Sequence, residues 1–291
     1  QAQRIRSTPL FAKSGSFDFR NAERTEADYT AVADVPLTLA ADDAVNAYLN
    51  DNSALIFSLC LMIVTVVLIL EPRRLGMEQV ERSAANGRSV LTLWRLGTVA
   101  LSALIAALTM QGGSLLLGVA AYRQPLDLSV SIQSFAFFRH WTAKTTLGGF
   151  LLWHILFRWA GLALAGLLFW LLLARIRSLP VGLVVCGGIL LLEYHWFSSY
   201  GVNDAGYPLA SYNLFHLLAP EALAGRYLNY NLFGYPVRER TLMAVVLGLL
   251  LVLSAGALLA TAHWARGARR LNFLARLIQR VGEKLRSKRR P

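Results

Sequence analysis

Long apolar blocks separated by polar segments dominate the pattern along the chain. Five blocks approach the roughly 20 residues that an α-helix needs to cross a hydrocarbon layer about 30 Å thick. They predict spans at about 53–70, 90–110, 151–174, 181–198 and 242–263. The third block begins near residue 147 and is long for one straight crossing, so we expect a tilted helix or an interfacial turn ahead of the span. The pattern predicts an all-α fold: a polytopic membrane helix bundle of about five transmembrane helices over 53–264.

Residues 199–240, between the fourth and fifth spans, are too apolar for a free loop and too interrupted by proline and glycine for a span. Non-spanning backbone lies at membrane depth only when it is buried in protein or faces a water-filled cavity. We therefore expect a re-entrant hairpin before the last span, with short helices at 212–218 and 221–228, as a lid on the outer end of a path. An ordinary loop with a surface helix is the alternative.

Charge adds an orientation to this picture. The 291 residues are 55% hydrophobic and 16% charged, with a net charge of +12, which in a soluble chain would suggest nucleic acid. Here the distribution matters more, because sixteen Lys and Arg lie on one face, in short loops and the C-terminal tail, and eleven lie in the longer segments opposite. Since basic loops stay cytoplasmic, we expect a multi-pass plasma-membrane protein with segment 1–52 extracellular, the C-terminus cytoplasmic, and no nucleic-acid partner.

The tail, 265–291, has apolar residues at helical spacing among basic ones. This pattern is typical of an amphipathic helix on the inner membrane surface, where anionic lipids attract it. The arginines that we expect to contact membrane lipid are Arg269, Arg270, Arg276 and Arg280. A free charged tail is the alternative.

The chain lacks the sequence motifs of a membrane-embedded enzyme. It contains no HExxH, no pair of intramembrane aspartates and no GxxxxGK[ST] loop, and its two cysteines have no metal-binding spacing. We therefore expect no catalytic, cofactor or metal site on this chain. Charges at membrane depth are costly and indicate function by default. Arg158 and Glu193 lie toward the outer ends of the third and fourth spans, where they would form an ion pair or contact a substrate.

The segment after the first span indicates a contact with a soluble partner. Leu75, Met77 and Val80 form an apolar face among charged residues, as in a short docking helix. A solvated loop explains this pattern equally well.

The order of these parts resembles the ABC-2 type permeases of ATP-binding-cassette exporters. The first span ends in the pattern Glu-x-x-x-x-Gly (Glu71 to Gly76). An amphipathic stretch follows, and Asn86-Gly87-Arg88 opens the next span. Later features are similar to one bacterial branch of that group: Ile132-Gln133-Ser134, Glu193-Tyr194 and the run from Tyr227 to Gly234. The resemblance covers about residues 40–265.

The resemblance implies the transmembrane permease subunit of an ABC exporter, which works with a second permease subunit, identical or related. Separate ATPase subunits would bind ATP and Mg and contact the coupling segment. By coupling segment we mean the residues expected to contact the ATPase: Arg73, Arg74, Leu75, Met77, Val80 and Arg82. A non-transporting membrane sensor or scaffold subunit that recruits a cytoplasmic partner is the alternative. The substrate stays open among lipid, peptide antibiotic and sugar polymer.

The N-terminus departs from the pattern of these permeases. They have six spans with both ends in the cytoplasm, whereas this chain has five predicted spans and starts outside, at Gln1 rather than at a methionine. We therefore expect that a first span is missing from this chain.

Overall fold

The computed structural model describes residues 15–38, 42–49, 54–77, 87–124, 126–199, 213–218 and 220–261. It is 75% helical, and five helices are long and apolar enough to cross a membrane. This confirms the predicted helical class and the five span candidates. In chain order the helices are α1 (Phe17–Thr30), α2 (Asp43–Leu49), α3 (Ala54–Arg74), α4 (Gly87–Tyr122), α5 (Leu147–Leu173), α6 (Leu179–Ser199), α7 (Leu214–Leu218), α8 (Glu221–Ala224) and α9 (Glu239–Thr261).

Helix α5 is the centre of the bundle. In its most apolar stretch 61% of the chain is buried, against 44% in α3 and 22% or less in α4, α6 and α9. Helices α3 and α4 pack along α5, whereas α6 packs mainly on α3. Close packing depends on small residues: a Cβ on Gly166 of α5 would lie 2.5 Å from the Val99 side chain of α4. The apolar core therefore lies between α3, α4 and α5.

Helix α4 continues to Tyr122, twelve residues beyond the predicted end of its span. Gly112 and Gly113 lie inside this helix, since glycine there costs only about 1 kcal/mol relative to alanine. The extension packs under α2, where a Cβ on Gly118 would lie 2.9 Å from the Ala44 carbonyl oxygen. Packing against α2 thus outweighs the weak helix propensity of the two glycines.

The two ends of the bundle differ in structure. At the end that we call the basic end, α3 stops at Arg74 and turns through Gly76, whose φ is +70°. The Arg73 guanidinium donates to the backbone carbonyls of Leu173 (2.7 Å) and Ile176 (2.8 Å), just where α5 ends. This end of α3 is therefore fixed to the end of α5.

A β-hairpin that the sequence analysis missed lies at the opposite end, which we call the β-hairpin end. Strand β1 (Asn229–Leu232) pairs antiparallel with β2 (Tyr235–Arg238), and β2 leads directly into α9. Phe233 (φ 53°) and Gly234 (φ 85°) form the two-residue turn, with the positive φ values of a type I′ turn. Because Gly225 and these strands follow α8, that helix ends at Ala224, earlier than the expected 228.

Candidate functional site

The short helices α7 and α8 pack against the middle of α5 rather than beyond its end. A Cβ on Gly161 would lie 2.2 Å from the Leu217 carbonyl oxygen, so the backbones of α5 and α7 are in direct contact. Gly161 comes fourteen residues after Leu147, about 21 Å along the helix at 1.5 Å per residue. Phe215 and Leu218 are buried in the same core cluster as residues of α3, α4 and α5. We refer to residues 213–224 as the α7–α8 segment.

Glu221 of this segment forms an ion pair with α5. Its Oε2 lies 2.7 Å from Arg158 Nη2 and 3.1 Å from His154 Nε2. The two partners are spaced i, i+4 and therefore lie on the same face of α5. Their side chains are 3% and 1% exposed, and that of Glu221 is 17% exposed. A buried charge without its partner is very costly, so this contact fixes the segment against α5.

Two further helices complete the hydrogen bonding of these side chains. The Tyr48 hydroxyl of α2 forms a hydrogen bond with His154 Nδ1. Because His154 Nε2 faces the Glu221 carboxylate, we assign the proton of a neutral imidazole to Nε2, so that Nδ1 accepts from Tyr48. In the amide orientation assigned from its neighbours, with the side-chain oxygen facing Arg158, Gln111 of α4 donates to the Tyr48 hydroxyl and accepts from Arg158 Nε (3.0 Å) and Nη1 (2.9 Å). We call these five residues the buried ion cluster: Tyr48, Gln111, His154, Arg158 and Glu221.

Of the two alternatives for Arg158 and Glu193, the ion pair is wrong, and a contact with a substrate stays a prediction. Within the described part of the chain, the carboxylate bound to Arg158 is that of Glu221. The reason is packing: α5 has few contacts with α6 and many with α3, α4 and α7. The backbone carbonyl of Glu193 accepts from Asn213 Nδ2 at 2.7 Å, so Glu193 contributes to holding the start of the same α7–α8 segment.

Of the residues expected to contact an ATPase, Arg73, Arg74, Leu75 and Met77 lie at the basic end, at or just after the end of α3. Leu75 and Met77 are 61% and 50% exposed. Arg73 is bound to the end of α5, as described above, and Arg74 pairs with Glu71 on the surface (2.6 Å). Val80 and Arg82 lie outside the described residues, as do the tail arginines Arg269, Arg270, Arg276 and Arg280. The structure thus describes an exposed apolar pair on an anchored turn.

A second ion cluster lies at the β-hairpin end, around Asp28 of α1. Its carboxylate accepts from Arg238 of β2 and from the Tyr227 hydroxyl (2.9 Å), and it pairs with Arg24. Burial by itself would raise the pKa of the Asp28 carboxyl, but the hydrogen bonds from Arg238 and Tyr227 and the nearby guanidinium charges outweigh it and hold that pKa below its ordinary value. We call Arg24, Asp28, Tyr227 and Arg238 the outer ion cluster. It ties α1 to the strand that leads into α9.

Sequence reasoning missed Glu221, Tyr48 and Gln111. His154 and Arg158 were visible as ionisable residues four apart in an apolar block, and an acid in the apolar stretch 214–224 was the matching signal. In the residues that the structure describes, no group of three or more His, Cys, Asp or Glu side chains is placed to hold a metal ion. The buried ion cluster is suited to a structural role, because its charged side chains pair with one another within the protein.

No protein-family model matches the chain, and no curated protein or solved structure is similar to it. The resemblance to ABC-2 type permeases therefore rests on the sequence motifs quoted above, and the function has to be argued from the geometry.

Proposed function

We propose that the chain is the transmembrane permease subunit of an ABC exporter, with ATP and Mg bound by separate ATPase subunits. The basic end faces the cytoplasm and the β-hairpin end faces outward. Two permease subunits, identical or related, form the complete membrane domain. The α7–α8 segment re-enters the membrane from outside and closes the outer end of the path along which the substrate is exported. In this proposal ATP hydrolysis takes place on the ATPase subunits.

The observation that carries this proposal is the position of α5. At the basic end, α5 is bound by Arg73, beside the exposed Leu75 and Met77. The half of α5 nearer the β-hairpin end is bound by Glu221, which belongs to the α7–α8 segment. A movement of the turn that carries Leu75 and Met77 would therefore reach the α7–α8 segment through one buried helix. Alternating access needs a structural connection between the energy source and the gate, and α5 is our candidate for it.

The exposed turn has the properties of a docking element. Leu75 and Met77 expose apolar surface at the end of the bundle, and two backbone hydrogen bonds, Leu75 to the Glu71 carbonyl and Met77 to the Pro72 carbonyl, hold the turn in shape. A preformed apolar anchor loses little conformational entropy on binding. Val80 and Arg82 extend this element in our proposal.

Copurification tests the coupling role. A tagged chain expressed with its neighbouring genes should retain a P-loop ATPase, and Leu75→Asp with Met77→Asp should release it, because a charge would replace apolar surface in the contact. We expect a weakening of about 2–4 kcal/mol, a loss of at least tenfold in captured ATPase.

Leu37→Asp is the matched control. Leu37 is 70% exposed at the β-hairpin end, so the chemical change and the exposure are similar but the position is opposite. The control should retain the ATPase. Equal capture by all variants would contradict the docking role. Capture of a partner without ATPase activity would favour the sensor or scaffold instead.

A further inference from the structure

Arg240 is a half-buried arginine at the start of α9, and its charge is not paired within the described part of the chain. It is the second residue of that helix. Its guanidinium carbon Cζ lies 3.8 Å from the centre of the Trp141 ring, which is a cation–π contact. Among the described residues, the guanidinium makes neither a hydrogen bond nor an ion pair. Its N–H donors are therefore available to an anion.

The charges around Arg240 are positive in excess. Arg238 and Asp28 of the outer ion cluster both act on it electrostatically. Asp28 already pairs with Arg238 and Arg24, so one carboxylate serves three guanidinium groups. Removing a charge from water is costly unless an opposite charge compensates it. An anion beside Arg240 would supply that compensation.

A second arginine, also without a carboxylate partner among the described residues, lies on the segment that carries Trp141. Arg139 is exposed, and its Nε donates to His140 Nε2 at 3.2 Å. His140 Nδ1 forms a hydrogen bond with the Tyr29 hydroxyl (3.0 Å), and Tyr29 packs against Tyr227 of the outer ion cluster, with ring centres 5.3 Å apart. The two arginines therefore lie beside the same cluster, and guanidinium groups match the geometry of a phosphate.

The position of Arg240 is that of a lipid headgroup. Trp141, which it contacts, packs against Phe150 and Trp153 of α5, with ring centres 5.4 Å apart in both cases. These two residues lie in the first two turns of α5, and Arg240 lies in the first turn of α9. The ends of spans lie at the level of the headgroups, where tryptophan is enriched. Lipid phosphates lie at the same level.

An exposed apolar strip continues along α9 from this position. Ala244 and Gly248 follow Arg240 at i+4 and i+8 and are exposed, and the adjacent Val245 and Leu249 are 63% and 57% exposed. We call these four residues the α9 strip. Because residues four apart share a helix face, acyl chains attached to a phosphate at Arg240 can lie along the strip. A free phosphate ion would gain nothing from it.

We propose that Arg240, together with Trp141 and Arg139, binds the phosphate of an anionic phospholipid whose acyl chains lie along the α9 strip. The guanidinium of Arg240 donates to the phosphate oxygens, and Trp141 covers one side of it. Since positive charge is in excess, a headgroup with a net negative charge fits better than a zwitterionic one. The proposal requires that α5 and α9 cross a membrane, for which both are long and apolar enough. It does not depend on the exporter function.

Native mass spectrometry of the purified full chain tests the site, because it counts bound lipids directly. In a titration with phosphatidylglycerol in detergent, Arg240→Gln should weaken binding at least fivefold. Arg20→Gln is the matched control and should leave binding unchanged. Arg20 also lies over an aromatic ring at this end, that of Tyr235 (4.4 Å), but it donates to the Gly234 carbonyl (3.1 Å) and belongs to α1. Equal weakening by both variants, or by neither, would overturn the site.

Two comparisons with other ligands identify the source of the phosphate. Phosphatidylcholine with the same acyl chains should bind at least fivefold more weakly than phosphatidylglycerol, and millimolar inorganic phosphate should not displace phosphatidylglycerol. Equal binding of the two lipids would overturn the anionic preference. Displacement by inorganic phosphate would overturn the lipid and assign a soluble anion to the site.

Thermal unfolding in delipidated detergent solution separates lipid binding from a structural role. Arg240→Gln should unfold at nearly the same temperature as wild type, because Arg240 makes no ion pair within the described chain that the substitution could break. A drop in melting temperature as large as that of Glu221→Ala would show that Arg240 holds the fold together and would contradict the proposal.

Discussion

The two ion clusters use the same pairing, an arginine with a carboxylate, in opposite surroundings. In the buried cluster the Arg158 and Glu221 side chains are 3% and 17% exposed. In the outer cluster Arg24 is 53% exposed, although Asp28 itself is buried. If the carboxylate is lost, water can reach the arginines of the outer cluster, since Arg238 is also 21% exposed, whereas it has little access to Arg158. The same bond is therefore worth different amounts in the two places.

The difference also separates two roles. The buried cluster connects elements far apart in sequence, α2, α4, α5 and α8, at the depth where α7 contacts Gly161. The outer cluster connects α1 with the β-hairpin, outside the five span candidates. We infer that the buried ion cluster fixes the position of the α7–α8 segment against α5, whereas the outer ion cluster holds α1 against the β-hairpin.

Removing Glu221 should give the largest loss of stability. Glu221→Ala leaves Arg158 buried without a counter-charge, and breaking a buried pair in this way costs about 3–5 kcal/mol. Thermal unfolding in detergent, followed by size-exclusion fluorescence, measures the loss. The double variant Arg158→Leu with Glu221→Leu should recover most of it, since apolar replacement of both partners is often neutral. A double variant as unstable as Glu221→Ala would show that the unpaired charge is not the cause.

Gly161→Ala breaks the same contact without changing a charge. The added Cβ would lie 2.2 Å from the Leu217 carbonyl oxygen, so α7 must move away from α5. Overpacking of this kind costs about 1–3 kcal/mol. Gly188→Ala is the control, because its added Cβ meets no atom within 4 Å. The same unfolding measurement should show no loss for Gly188→Ala, and equal losses would contradict the close approach of α7.

Asp28→Asn should have a smaller effect. The substitution removes the negative charge of Asp28, and the partly exposed arginines around it can form hydrogen bonds with water instead. We therefore expect a loss of about 1–2 kcal/mol in the free energy of unfolding. The pH dependence has a definite sign. Because the pKa of Asp28 is lowered in the folded protein, its contribution is complete above about pH 4, the ordinary aspartate pKa, and is lost as pH falls further. The difference in melting temperature between wild type and Asp28→Asn should therefore shrink below that pH, and a constant difference would contradict this assignment.

The spans could be predicted from the sequence because each is a continuous apolar block of about the thickness of a bilayer. Their ends could not all be predicted: α4 passes through Gly112 and Gly113 because α2 packs on its extension. The β-hairpin was missed because its turn is Phe-Gly rather than the usual Asn-Gly.

The partner of Arg158 could not be predicted for a different reason. Glu221 is 63 residues away in the chain, and only the packing of α7 on Gly161 brings them together. Pattern reasoning identified the charges on the third and fourth spans, and it paired those that lay on consecutive spans.

The most direct test of the account is the accessibility of Leu223, which is buried in the α7–α8 segment. In cells that express a variant with Cys60 and Cys186 replaced, Leu223→Cys should resist an impermeant thiol reagent, and Leu37→Cys should react from outside. In the complex with the ATPase, reconstituted in vesicles with the β-hairpin end accessible, ATP turnover should raise labelling of Leu223→Cys severalfold and leave Leu37→Cys unchanged. Rapid labelling of Leu223→Cys at rest, or no response to ATP, would contradict the claim that this segment closes the outer end of the path.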